Sequence, residues 1–124
     1  EAHHMTQPAP EGQWMRICME RALAKAALDP QDISYINPHG TGTLANDAGE
    51  AEAISNVFGG LELIHPTKRL TGHTLGASGA LELLISSLML EAISSGAFQK
   101  QFGIKNSFGF GGANVSIVLE RGGR

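Results

Sequence analysis

Three short segments of the sequence combine glycine with side chains that can donate or accept hydrogen bonds. Residues 37–43 (NPHGTGT) place His39 between a proline and a glycine-rich turn. Residues 68–80 (KRLTGHTLGASGA) place His73 just ahead of a run of small residues, and residues 106–114 (NSFGFGGAN) alternate two phenylalanines with glycine. Glycine lets the backbone approach a ligand closely, and the neighbouring side chains supply donors. These residue types therefore favour a ligand site built at the ends of secondary-structure elements.

Each segment has an ordinary structural interpretation when it is considered alone. A single loop histidine is more often a hydrogen-bonding residue than a catalyst, and a lysine such as Lys68 is usually solvated. Glycine runs usually mark tight turns, and Phe108 and Phe110 alternate as core residues of a β-hairpin do. A functional interpretation depends on the three segments occurring together.

The hydrophobic pattern predicts the elements that hold these segments. The predicted helices cover residues 13–28, 47–58 and about 75–94, and the predicted strands cover residues 33–37, 61–65, 102–106 and 115–120. Asp29-Pro30 ends the first helix, because the residue before proline resists the α conformation. Glu50 follows Asp47 at the spacing of a capping box, which predicts that the second helix starts at Asp47.

The third predicted helix is apolar on every side. Its apolar residues lie all around it, and its ionisable residues are Glu82 and Glu91. Such a helix must be buried on every side. Three helices and a few strands can hardly cover it, so we expect a partner surface that this chain does not supply.

Composition excludes several classes of protein. The chain has 124 residues and a formal net charge of −3, which argues against a nucleic-acid-binding protein. No apolar run approaches the roughly 20 residues of a membrane span, and residues 1–12 do not resemble a signal peptide. A single cysteine excludes an internal disulfide and favours a reducing, cytoplasmic setting.

Together and in this order, the three segments resemble the β-ketoacyl-acyl carrier protein synthases, including the ketosynthase domains of polyketide synthases. The family pattern has a histidine in H-G-T-x-T, a lysine and a second histidine in K-x-x-T-G-H-x-x-G-A-x-G, and then S-F-G-F-G-G. The opening residues 2–6 (AHHMT) also resemble the family. The resemblance covers nearly the whole chain. It implies that residues 1–124 form the C-terminal half of a thiolase-like fold, an α/β structure with a mixed β-sheet and a buried central helix.

The resemblance also implies a reaction and roles for individual residues. Members of this family carry out a decarboxylative Claisen condensation of an acyl thioester with malonyl-acyl carrier protein. His39 and His73 correspond to the pair that faces the malonyl thioester, and Lys68 and Glu82 to the residues that support the second histidine. Phe110 corresponds to a gating phenylalanine whose backbone N–H contributes to an oxyanion hole.

Substrate contacts and partners follow from the same resemblance. The residues implied to bind substrate are Thr6, Thr41, Thr43 and Phe108. The substrates are carried on the phosphopantetheine of acyl carrier protein, so no metal and no other cofactor is expected. The other expected partners are the N-terminal half of the same enzyme and, in the complete protein, a second copy in a homodimer.

Two departures from the family pattern limit this interpretation. The family's nucleophilic cysteine lies in the N-terminal half, and Cys18 cannot replace it, because it falls on the apolar face of a predicted helix. The chain alone is therefore expected to be inactive. The family also has a few dozen residues, including a strand, where only residues 96–105 connect the apolar helix to the last motif.

Other functions remain open at this stage. A thiolase shares the fold and a glycine-rich histidine segment, but it needs a second catalytic cysteine near the C-terminus. A non-catalytic subunit resembling a chain-length factor is the alternative from another class, although both histidines and the lysine are retained. The spacing of the five histidines (His3, His4, His39, His65 and His73) fits no compact metal motif, and no phosphate-binding G-x-x-x-x-G-K-[ST] loop occurs.

Overall fold

A computed structural model of the chain describes residues 4–5, 9–60, 64–93 and 101–122. The helices are α1 (Gln13–Ala26), α2 (Leu44–Phe58), α3 (Lys68–Thr71) and α4 (Ser78–Ile93), and the strands are β1 (Ile33–Asn37), β2 (Phe102–Phe108) and β3 (Asn114–Glu120). Short 3-10 turns cover Pro10–Gly12, Pro30–Asp32, Leu75–Ala77 and Phe110–Gly112. The described part of the chain is therefore mixed α/β, in agreement with the sequence.

The three strands form one mixed sheet in the order β1-β2-β3. β1 runs parallel to β2, with Ile33 opposite Phe102, and β2 runs antiparallel to β3. Successive residues of a strand point to opposite faces. Accordingly, Asn106 of β2 contacts α1 and α2, whereas Lys105 contacts α4. β2 is thus covered on both faces and carries a polar side chain to each of them.

The hydrophobic core lies between the sheet and the first two helices. Its buried residues are Met15, Met19, Leu23, Ile33, Ile36, Ala53, Ile54, Ile104 and Phe108. Those from α1 recur every four residues, so the helix presents one apolar stripe to the sheet. This confirms the helical pattern that the sequence predicts over the first helix.

A close backbone contact joins the start of α1 to α2. Gly12 has a φ of +60°, and a Cβ atom placed there would lie 2.0 Å from the carbonyl oxygen of Gly49. Both the left-handed conformation and the contact require glycine at this position. The turn before α1 is thereby held against the middle of α2.

Several predicted boundaries are wrong. α2 begins at Leu44 rather than Asp47, because the extended Thr43 is the N-cap and its carbonyl accepts the Asp47 N–H at 2.9 Å. The segment between the predicted strand 61–65 and the third predicted helix, for which no element is predicted, contains α3. Helix α1 ends at Ala26 rather than at Leu28, because Ala27 adopts a left-handed conformation. The predicted strand 61–65 lies partly outside the described residues.

Helix α4 packs one side against the sheet and leaves an apolar side open. Glu82, Ser86 and Leu90 are almost fully buried, whereas Leu84 and Leu88 are 60% and 62% exposed. In contrast to the expectation from apolar run length, the helical stretch Leu75–Ala92 is long and apolar enough to cross a membrane by length and composition. The core helix of a globular protein meets the same criterion, and α4 buries Glu82, Ser86 and Leu90 within the protein.

Candidate functional site

The first histidine lies just beyond the carboxyl end of β1. His39 is nearly buried, and its backbone N–H donates to Oε1 of Glu50 at 2.8 Å. The N–H of Gly40 donates to Oε2 of the same carboxylate at 2.9 Å. Glu50 therefore holds the turn that carries His39.

Glu50 is a residue whose role the sequence misassigned. It does not form a capping box, since it lies well inside α2 and points to the histidine turn. Asn106 of β2 donates its side-chain amide to Oε1 of Glu50 at 3.2 Å. Burial raises the pKa of the Glu50 carboxyl, although the three donated hydrogen bonds act in the opposite direction. The only sequence signal for this role is a carboxylate placed 11 residues after His39, and a spacing of that length does not predict a contact.

Lys68 connects the turn of His39 to helix α4. It is buried in α3, and its Nζ lies 2.5 Å from the carbonyl oxygen of His39 and 2.7 Å from Oε1 of Glu82. The same nitrogen lies 3.4 Å from Nδ1 of His39. An ammonium group can only donate, so Nδ1 accepts and the ring proton of neutral His39 is assigned to Nε2. The ordinary expectation of a solvated lysine is wrong here.

The second histidine reaches the same tautomer by a different route. Nδ1 of His73 accepts the backbone N–H of Leu75 at 3.0 Å and lies 3.1 Å from the hydroxyl oxygen of Ser78. Because the Leu75 N–H can only donate, the ring proton of neutral His73 is also assigned to Nε2. The turn before α4 therefore orients this ring through its own backbone.

The two imidazoles face each other across a short distance. The ring centroids of His39 and His73 are 5.7 Å apart, and the rings are perpendicular. Burial, together with the positive charges of Lys68 and Lys105, lowers the pKa of His39 to about 4. His39 is consequently neutral at pH 7, and its Nε2–H remains available as a donor.

Behind the histidines lies a buried group of charges. Oε1 of Glu82 contacts Lys68 at 2.7 Å, and Oε2 contacts Lys105 at 2.9 Å. Burial alone would raise the pKa of Glu82, but hydrogen bonds from the two lysines lower it below its ordinary value. Burial lowers the pKa of Lys105, and the charge of Glu82 opposes that shift. Sequence reasoning missed Lys105, which precedes the last motif and carries no signal of its own.

Both histidines line one open cavity of about 900 Å³. The other residues of the sequence interpretation that line it are Thr41, Thr43, Phe108 and Phe110. The hydroxyl oxygens of Thr41 and Thr43 are 2.8 Å apart, and Phe110 is 81% exposed at the rim. Thr6 lies outside the described residues. Within those residues, the structure brings together the expected pair of histidines, their lysine and glutamate, and the expected substrate contacts.

The single cysteine does not line this cavity. Cys18 is half-buried in α1 and packs against the hydrophobic core. Among the residues that the structure describes, no three His, Cys, Asp or Glu side chains converge as metal ligands would. The arrangement can therefore offer two imidazole donors to a bound molecule, but it contains no nucleophilic cysteine.

Comparisons with known proteins identify relatives of this chain. The family model described as "Beta-ketoacyl synthase, C-terminal domain" matches residues 1–94. A 3-oxoacyl-[acyl-carrier-protein] synthase 2 of Coxiella burnetii is 38% identical over 98% of this chain and 35% of its own length. That alignment extends over 146 residues, so the relative carries residues within it that have no counterpart among the 124 here.

Solved structures show the same similarity. A ketosynthase of Xenorhabdus doucetiae, solved in complex with its chain length factor, is 37% identical with a TM-score of 0.87 over 98% of this chain and 36% of that one. A ketosynthase of a type II polyketide synthase, solved in complex with its acyl-carrier protein, is 28% identical with a TM-score of 0.85 over 99% and 36%. The chain spans about a third of the length of these relatives. Its architecture is that of the corresponding part of the thiolase-like fold.

Proposed function

Because this chain belongs to the β-ketoacyl synthase family, in which it matches the C-terminal domain, we propose that it supplies the decarboxylating half of a β-ketoacyl-acyl carrier protein synthase active site. The reaction is the condensation of an acyl thioester with malonyl-acyl carrier protein. The observation that carries the proposal is the pair of perpendicular imidazoles, 5.7 Å apart, that line one cavity.

The chemistry of the pair fits decarboxylation of a malonyl thioester. Loss of CO₂ leaves the electron pair of the broken C–C bond as an enolate, so negative charge develops on the thioester oxygen. His39 and His73 each have Nδ1 engaged and Nε2–H free to donate, which is the form that stabilises such an oxygen. Because the charge is larger in the transition state than in the substrate, these donors lower the barrier rather than only binding substrate.

The surrounding residues support this role without touching the thioester. Lys68 holds the backbone and ring of His39, and Glu82 neutralises Lys68. The cavity is largely apolar, with Thr41 and Thr43 at one side, which suits a pantetheine arm. Acyl carrier protein is therefore the proposed partner, and it is the protein with which the ketosynthase of a type II polyketide synthase was solved in complex.

The acyl group must be held by a part of the enzyme outside these 124 residues. Cys18 packs against the core and does not line the cavity. We assign the nucleophilic cysteine to a preceding half of the enzyme, and the exposed Leu84 and Leu88 to the surface that such a half covers. The cytoplasm is the proposed location, and a homodimer the proposed assembly.

The test measures two partial reactions separately in the full-length enzyme that contains this chain. Replacing His39 or His73 by alanine should lower malonyl decarboxylation by about 10²–10³, the scale for loss of one oxyanion donor. Acyl loading onto the nucleophilic cysteine should change much less. His65→Ala is the control, because His65 is an exposed histidine that stacks on Tyr35 away from the pair.

Three outcomes would contradict the proposal. If acyl loading collapsed while decarboxylation held, the role assigned to that histidine would be wrong. If neither reaction changed, both histidines would be structural. If the unaltered protein carried out neither reaction, the chain would belong to a non-catalytic subunit resembling a chain-length factor.

A further inference from the structure

Lys105 is a buried lysine that the proposed reaction does not use. It is 1% exposed and lies on β2, on the face of the sheet that packs against α4. Its Nζ lies 2.9 Å from Oε2 of Glu82 and 3.2 Å from the hydroxyl oxygen of Ser107, and it also donates to the carbonyl of Asn106. Removing an ammonium from water is expensive unless its partners are well placed. Three oxygen partners show that this charge is specifically accommodated.

The carboxylate of Glu82 is shared between two lysines. One oxygen contacts Lys68 at 2.7 Å, and the other contacts Lys105 at 2.9 Å. A carboxylate held at both oxygens cannot rotate without losing a partner. With two ammonium groups and one carboxylate, this three-residue cluster carries an excess positive charge inside the protein.

The cluster ends at the first histidine. Lys68 donates to the carbonyl oxygen of His39 at 2.5 Å and lies 3.4 Å from its Nδ1. A shift of Glu82 would therefore move Lys68, and Lys68 would move the turn that carries His39. Lys105 is connected to the imidazole through two intervening residues, Glu82 and Lys68.

We propose that Lys105 is a positioning residue for His39. It retains one oxygen of Glu82, so that the other stays on Lys68, and its charge adds to those that disfavour protonation of the imidazole. The importance of a neutral His39 for catalysis rests on the proposed function, whereas the effect of Lys105 on protonation of His39 does not.

Charged and titratable groups reach His39 from every element around it. They are Glu50 from α2, Lys68 from α3, His73 from the turn before α4, Glu82 from α4 and Lys105 from β2. After burial, the lysines and His73 lower the pKa of His39, and Glu82 raises it. Without Lys105, the negative charge of Glu82 is balanced by Lys68 alone, and protonation of His39 becomes easier.

The test is a histidine titration by NMR in the full-length protein that carries this chain. In Lys105→Met, the pKa of His39 should rise by about one unit, as expected for loss of a unit charge several ångströms away. Lys105→Gln keeps a hydrogen-bond donor without the charge and should give the same rise. Lys25→Met is the matched control, because Lys25 is exposed on α1.

The outcomes separate positioning from a purely structural role. If Lys105 only stabilises the fold, both variants unfold more easily while the pKa of His39 stays where it is, and that result overturns the proposal. If neither variant folds, the titration of Lys105 in the unaltered protein decides. If the Lys105 side chain is an ammonium at pH 7 and shows a scalar coupling or a nuclear Overhauser effect to Glu82, the proposal is supported. A neutral amine refutes it. Since no outcome depends on turnover, failure of the proposed function would be recognised separately.

Discussion

Replacement of Glu50 by alanine should destabilise the protein strongly. The carboxylate accepts hydrogen bonds from the backbone N–H groups of His39 and Gly40 and from the side chain of Asn106. Leaving one buried donor unpaired costs about 1–3 kcal/mol. Gly40 is partly exposed and can bond to water, so two donors lose their partner. We expect the free energy of unfolding to fall by about 2–6 kcal/mol.

Glu50→Gln separates the hydrogen bonds from the charge. Glutamine keeps one acceptor oxygen but turns an NH₂ group toward a donor, so we expect a loss of about 1–2 kcal/mol. Urea denaturation at pH 7 measures both variants. Glu52→Ala is the matched control, because Glu52 lies two residues along the same helix and is exposed.

The pH dependence of stability, compared between the unaltered protein and Glu50→Gln, tests the effect of burial on the Glu50 carboxyl. Burial raises the pKa of Glu50 in the folded state, so folding favours its protonated form. Its contribution to stability is then complete below the unfolded pKa and is lost as the pH rises through the folded pKa. The stability of the unaltered protein relative to Glu50→Gln should therefore decrease as the pH rises above the ordinary 4.5. An alanine variant within about 0.5 kcal/mol of the Glu52 control would refute the reasoning about the unpaired donors.

Three further predictions concern the fold around the site. Gly12→Ala should lower the free energy of unfolding by about 2–4 kcal/mol, because the added Cβ would clash with Gly49 and the turn is left-handed. Gly60→Ala, measured in the same urea titration, is the control and should cost less, because no atom lies near its added Cβ. Glu82→Gln should cost about 3–5 kcal/mol at pH 7. Its folded pKa is lowered, so calorimetry should show this difference disappearing as the pH falls below the ordinary 4.5, and a constant difference would contradict the ion pairing. Replacing both Leu84 and Leu88 by glutamine should reduce self-association and hydrophobic-dye binding of the 124-residue chain, because both side chains are exposed. Unchanged sedimentation would show that this face of α4 does not mediate self-association.

Much of the fold follows from local patterns in the sequence. The apolar stripe of α1, the strand before His39 and the glycines after α2 depend on neighbours within a few residues. The start of α2 was misplaced for the same reason: Asp47 and Glu50 have the spacing of a cap, and only the tertiary structure shows Glu50 serving another segment. Local spacing could not distinguish these uses.

The family, and the histidine pair with its lysine and glutamate, can be recognised from the sequence, because these residues stand in motifs of characteristic spacing. How these side chains contact one another is visible only in the folded chain. The tertiary structure assigned the ring tautomers through Lys68 and Leu75, and it brought Lys105 to Glu82 from a different element. Whether a lysine is solvated or buried depends on what packs over it. That packing comes from residues distant in the chain, and no local pattern records it.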